Sequence, residues 1–376
     1  MTTVIPCPQP PDWEVDWAEL DTRFDWVRAM RGVPQDPIHH AEGDVWIHTR
    51  MVLEALCQLP AWRALDPVER EVVFAASLLH DVAKPRCTRT ELDGRITSRG
   101  HSVRGAVFAR LLLWRMGIPF AQREAICGLI RHHQAPFFLI EREDAARTAR
   151  AISQSARCDH LALVAEADAR GRHCADLQRL LDNTALFREL CDETGCLHEP
   201  ALFPSAHARL LYLRGDTSDP LYRPHESFRA DVVVMSGLPG AGKDSWVRES
   251  LGDWSVVSLD DIRHELDVDP GDAQGPVVAH ARELAREHLR AGRRFVWNAT
   301  NLSRQLRTSV VNLFLDYDAR VRIVYVEVPE RELRAQNRTR AAAVPGPVIE
   351  RLFERWEVPA PGEAHEVSYV VRHARP

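Results

Sequence analysis

The run Asp231–Ser245, DVVVMSGLPGAGKDS, constrains this chain more than any other stretch. Apolar, β-branched residues give way at once to a glycine-rich turn, and the turn to a lysine. Gly237, Gly242 and Lys243 fit the spacing G-x-x-x-x-G-K. Glycines let successive backbone N–H groups turn inward around an anion. A helix starting there adds partial positive charge. A strand that delivers such a turn belongs in a sheet with its carboxyl edge open, so this part of the chain reads as α/β.

The residues after 230 carry that reading on. Strands are expected at 231–236, 255–259, 294–297, 321–328 and 366–371, with helices at 246–251, 277–291, 305–315, 330–339 and 347–356. Strands alternating with helices imply βαβ units and a mostly parallel sheet. Gly237, Leu238, Pro239, Gly240, Ala241, Gly242, Lys243, Asp244 and Ser245 are the expected ATP-binding loop, with Lys243 reaching the β- and γ-phosphates. A hydroxyl residue normally follows that lysine as a Mg²⁺ ligand. Here Asp244 stands in its place, with Ser245 next, and either is a candidate metal contact. Asp260 and Arg263 follow the second strand in LDDIR, as a general base and an acceptor-binding cation. Helix capping is the other reading of Asp260 and Asp261. Asn298, Thr300 and Asn301 end the third strand, as acceptor contacts or as turn chemistry. Arg331, Arg334, Arg338 and Arg340 are lid candidates, or a solvated helix face.

Residues 44–190 show helical periodicity and little strand signal. Their histidines come in a patterned order: His48, His80-Asp81, Lys84-Pro85, His101, His132-His133, then Asp168. Imidazoles and carboxylates delivered by separate helices can surround one or two divalent transition metals such as Mn, Ni, Co, Zn or Fe. A bound metal lowers the pKa of water and offsets phosphate charge. His39 and His40 precede the first helix beside Pro37 and are not expected as ligands.

With 376 residues and 45% hydrophobic content, the chain can fold two separate cores. We expect domains at 1–194 and 230–376, joined by a Pro- and Gly-punctuated connector at 195–229. A net charge of -6 gives no global attraction to nucleic acid. No leader-like start or membrane-length apolar run is present, and the eight cysteines are scattered, so the expectation is a cytoplasmic protein with free thiols and no membrane partner.

The ordered set GLPGAGKDSW, LDDIR, NATNL and NRTR resembles the kinase module of polynucleotide 5′-kinases. It implies transfer of the ATP γ-phosphate to a 5′-hydroxyl, with Asp260 as general base, Arg263 on the acceptor and Arg338 or Arg340 in the lid. The histidine pattern resembles the HD phosphohydrolase superfamily. That resemblance implies a metal set of His48, His80, Asp81 and Asp168, with His101, His132 and His133 on a second metal or the substrate phosphate and Lys84 on a phosphate oxygen. The fusion resembles the bacterial HD-Pnk family. It implies an α-helical HD domain followed by an α/β P-loop kinase domain, ATP and Mg²⁺, RNA or DNA ends as substrates, removal of 2′,3′-phosphates, and a functional link to a polynucleotide ligase. Two rivals stand beside it: a nucleoside or metabolite kinase fused to a nucleotide phosphohydrolase, and a non-catalytic nucleotide sensor.

Overall fold

The computed structural model describes residues 5–268, 273–339 and 343–372. The chain forms two compact units, Met1–Leu202 and Phe203–Pro376. The division falls inside the stretch expected to be a connector.

The first unit is helical. Its principal helices are α1 (Val45–Gln58), α2 (Pro67–Leu79), α3 (His101–Arg115), α4 (Phe120–His132), α5 (Cys158–Arg170) and α6 (Leu177–Glu193). Their starts follow local chemistry. Asp44 caps α1 by accepting from Ile47 N at 2.8 Å, and Asp66 caps α2 by accepting from Val68 N and Glu69 N, with Pro67 in the first turn. Apolar residues at helical spacing, including Val52, Leu53 and Leu56 of α1, are fully buried. A two-residue ladder pairing Arg89–Thr90 with Ile96–Thr97 is the strand content here among the described residues, and no alternation in the sequence announces it.

The second unit begins with α7 (Ala206–Arg214). Then follow β1 (Ala230–Ser236), α8 (Lys243–Ser250), β2 (Ser255–Ser258), α9 (Leu259–Glu265), α10 (Gly275–Arg290), β3 (Phe295–Asn298), α11 (Arg304–Leu315), β4 (Ala319–Glu327), α12 (Glu330–Thr339), α13 (Gly346–Phe353) and β5 (Glu366–Val371). The five strands form one parallel sheet in the order β2-β3-β1-β4-β5. Both faces of β1 are covered. Val232 and Val234 pack into one core, Val233 and Met235 into the other, which is why the strand is an unbroken apolar run. From β1 the chain leaves to β2, returns to β3 on one side of β1, and then crosses to β4 on the other. The loop after β1 therefore opens at the switch point of the sheet, where such folds hold ligands. No helix among the described residues is long and apolar enough to cross a membrane.

Candidate functional site

In the first unit, helix ends converge on one point. His48 lies in the first turn of α1, His80 caps the end of α2, His101 opens α3, His133 caps the end of α4, and Asp168 sits in the last turn of α5. Asp81 follows His80. All six are buried, His48 and Asp168 completely. Two triads of potential ligand atoms result, His48–His80–Asp168 and Asp81–His101–His133, each closed within 4.8 Å.

The hydrogen bonds orient the rings. His80 Nδ1–H donates to Ser77 O at 2.7 Å, His101 Nδ1–H to Ser98 O at 2.8 Å, and His133 Nδ1–H to Ile130 O at 2.8 Å. A carbonyl only accepts, so each of these rings keeps its proton on Nδ1 and turns Nε2 inward. His48 Nδ1 lies 2.9 Å from Glu42 Oε1 and 3.2 Å from Gly171 O, with the same effect. Inside, His48 Nε2 is 3.4 Å from His80 Nε2 and 3.1 Å from Asp168 Oδ1. His101 Nε2 is 3.3 Å from both His133 Nε2 and Asp81 Oδ1. Asp81 Oδ1 is buried without a hydrogen bond. Converging imidazole Nε2 atoms and an orphaned carboxylate oxygen fit a divalent cation.

Cationic side chains stand by the carboxylates. Lys84 Nζ is 2.7 Å from Asp81 Oδ2 and donates to Gln35 Oε1 at 2.6 Å. Arg172 grips both Asp168 oxygens, at 2.9 and 2.7 Å. Burial opposes ionisation of Asp81, but the His80 and Lys84 charges outweigh it and hold the carboxyl well below its ordinary value. Burial likewise opposes Asp168, and Arg172 with the His48 hydrogen bond prevails. Burial pushes His133 down to about 3, with His101 and His80 adding to it. His132 stands outside the nest; its Nε2 is 3.5 Å from Ser155 Oγ. His40 is hydrogen-bonded at 2.8 Å to Glu42, the carboxylate that also orients His48. Neither Glu42 nor Arg172 belongs to the histidine pattern. Arg172 lies four residues after Asp168, a helical spacing that points to it, whereas Glu42 sits in a loop without periodicity.

In the second unit, Lys243 opens α8 and folds back to donate to Gly237 O at 2.9 Å and Leu238 O at 3.1 Å. Gly237 and Gly240 have φ of 146° and 80°. A Cβ on Gly240 would lie 2.6 Å from Leu333 O, so α12 presses directly on the loop. Ser258 caps α9 by accepting from Asp261 N at 3.2 Å, which places Asp260 and Asp261 in the first turn and gives the capping role to the serine. Arg263 pairs with Asp260 at 2.6 Å and donates to Gln274 Oε1 at 2.9 Å. Ser258 and Asn298 are in register on neighbouring strands, which brings the two motifs to one edge. Asn298 Nδ2 donates to Asp244 Oδ1 at 2.8 Å. Lys243, Asp244, Asp260, Arg263, Asn298 and Thr300 line one cleft of about 380 Å³.

The remaining expected residues are distributed otherwise. Asn301, with φ of 43°, turns inward and donates to Met235 O at 2.7 Å, while Thr300 O accepts from Gly237 N; this turn braces the phosphate loop. Arg331 and Arg338 are exposed on α12, Arg334 pairs with Glu330 and Glu350, and Arg340 lies outside the described residues. His264 and Arg355 also line the cleft, and neither stands out in the sequence.

Residues 45–170 match the HD domain family, and residues 232–359 match the AAA domain family. The chain fuses an HD domain to a P-loop domain. Curated relatives named Multifunctional CCA protein are similar over part of it. That of Acidovorax sp. (strain JS42) is 32% identical over 157 residues, 39% of this chain and 33% of that protein. That of Methylococcus capsulatus is 34% identical over 167 residues, 42% and 36% of the two chains. That of Halorhodospira halophila is 36% identical over 107 residues, 28% and 23%. The match thus spans about a third of the length of these relatives, or less. The HD domain implies a divalent metal and the P-loop domain a nucleotide with Mg²⁺, and the two donor sets suit both.

Proposed function

We propose that the chain heals broken nucleic-acid ends: the P-loop domain phosphorylates a 5′-hydroxyl and the HD domain removes a 2′- or 3′-terminal phosphate. The observation that carries this reading is the cleft in which the phosphate-loop lysine, the Asp260–Arg263 pair and Asn298 meet. A P-loop that only sensed nucleotide would need no carboxylate and cation set beside it. In the proposed reaction, Lys243 leaves the Gly237 and Leu238 carbonyls for the β- and γ-phosphates of ATP. Arg263 turns from Asp260 to the phosphate of the acceptor strand. Asp260, released from its partner, takes the proton of the 5′-hydroxyl as oxygen bonds to the γ-phosphorus and ADP departs. Asp244, held by Asn298, faces the same cleft as a candidate Mg²⁺ contact.

In the HD domain, His48, His80, Asp81 and Asp168, joined by His101 and His133, would hold the metal. A bound divalent cation neutralises phosphate charge and activates water for hydrolysis. Lys84, paired with Asp81, would turn to a phosphate oxygen. The relatives' name describes proteins of which this chain matches a minor part, so it does not decide the substrate here.

The test is one oligonucleotide bearing a 5′-hydroxyl and a 2′,3′-cyclic phosphate, given ATP, Mg²⁺ and Mn²⁺ or Ni²⁺. The expected product carries a 5′-phosphate and a free 2′,3′-diol, ready for a ligase. Phosphate transfer to free nucleosides alone would reject the polynucleotide reading in favour of a small-molecule kinase.

A further inference from the structure

The first unit holds a second group of ligand-type side chains, apart from the imidazole nest. Cys158 opens α5, Cys191 lies in the last turn of α6, and Cys196 sits in the loop that follows. Their sulfurs fall within 4.8 Å of one another, and the three residues are 0%, 0% and 1% exposed. The backbone builds this meeting point. Thr194 Oγ1 donates to Leu190 O at 2.6 Å and Cys196 N to Cys191 O at 2.8 Å, folding the chain back over the end of α6. Asp159 N then donates to Leu197 O at 3.0 Å, fastening that turn to the start of α5.

A lone buried cysteine behaves as a small apolar residue packed against carbon. Three sulfurs facing one another forgo that packing, and S–H is too weak a donor for a three-way cluster to repay it. All three are free thiols, so no disulfide accounts for the arrangement. Cys158 occupies the positive end of the 13-residue α5, which favours a thiolate there.

We propose that Cys158, Cys191 and Cys196 form a second metal site, a thiolate site that takes Zn²⁺ and clips the start of α5 to the end of α6. Three S–H protons leave to water as three sulfur–metal bonds form. Soft thiolates select zinc over Mg²⁺ or Ca²⁺, and the nearby Arg150 and Arg188 offset the remaining negative charge. Thr194 Oγ1, 3.3 Å from Cys196 Sγ, or a water fills the fourth tetrahedral position. Asp168 lies about 15 Å further along the same helix at ~1.5 Å per residue, so the clip steadies the helix that delivers a nest carboxylate. The role is structural and independent of the proposed reaction.

The test uses the full-length chain purified without chelator. A mercurial such as p-hydroxymercuribenzoate breaks metal–thiolate bonds and leaves imidazole ligands alone, and it should release about one equivalent of zinc. Co²⁺ substitution should give a sulfur-to-cobalt charge-transfer band in the near ultraviolet, retained in His80→Ala and lost in Cys191→Ser. Should Cys191→Ser fail to fold, the mercurial and cobalt readouts on the parent chain still decide. Eight reactive thiols in denaturant with no zinc set free, or a Cys191–Cys196 disulfide in the mass spectrum, overturns the site.

Discussion

At the scale of single residues, the two domains use carboxylates in opposite ways. Asp260 is exposed to the cleft beside Arg263, and its proposed work is to gain a proton. Asp260→Asn should slow turnover in the phosphorylation of a 5′-hydroxyl strand by roughly 10²–10⁴-fold, the usual worth of a positioned base, with ATP affinity unchanged by calorimetry. In the HD domain, Glu42 fixes the ring of His48. Glu42→Gln should weaken metal binding by about 10–100-fold in a chelator competition, with the far-ultraviolet spectrum preserved. An unchanged metal affinity would show that Gly171 O alone orients the ring. The nest histidines and aspartates stood out in the sequence through their order along the chain and its resemblance to the HD superfamily. Glu42 did not, since a loop carries no period. Asn301 was ambiguous for a related reason: only its left-handed backbone reveals that it braces the phosphate loop.

At the scale of elements, the five strands and most helices followed from periodicity, with boundaries off by a few residues; α7 lies in the stretch read as a connector, and α9 follows β2 where no helix was placed. Helix α8 is expected from Trp246 and found from Lys243, because the glycine turn itself leads straight into the first helical residue. Packing between elements was not legible. Cys158 and Cys191 meet only because α5 and α6 lie side by side, and α12 leans on Gly240 only because β4 delivers it there. Gly240→Ala should therefore cost about 1 kcal/mol or more in backbone strain alone and push α12 off the loop, seen as lost ATP binding together with a lower melting temperature. The other end of the sheet gives a pH prediction. His365 Nδ1 accepts from Val321 N at 3.0 Å, and its ring stacks on His207, with Nε2 3.1 Å from His207 Nδ1. Burial pushes His365 down to about 4, with His207 and Arg320 adding to the shift and Glu226 opposing it. The folded pKa lies below the unfolded one, so the unfolded chain takes up the proton first as pH falls. The second unit should lose on the order of 2 kcal/mol between about pH 6.5 and pH 4. Urea midpoints at pH 7 and pH 5 check this, and His365→Gln should flatten the dependence.

At the scale of the whole molecule, each site draws all its described groups from one unit. The two chemistries should separate cleanly. His80→Ala/Asp81→Ala should abolish metal-dependent phosphate release and leave 5′-phosphorylation intact, and Lys243→Ala should do the reverse; loss of both activities in either variant would show that the sites are coupled. The folded-back Lys243 has one more consequence. Its ammonium is already solvated by the two carbonyls it grips, so the loop carries no stranded charge waiting for a counter-ion. Nucleotide arrival is then an exchange of partners and not a rescue: the P-loop domain matures without ATP, and ATP should raise its melting temperature only as mass action dictates, in step with the logarithm of its concentration.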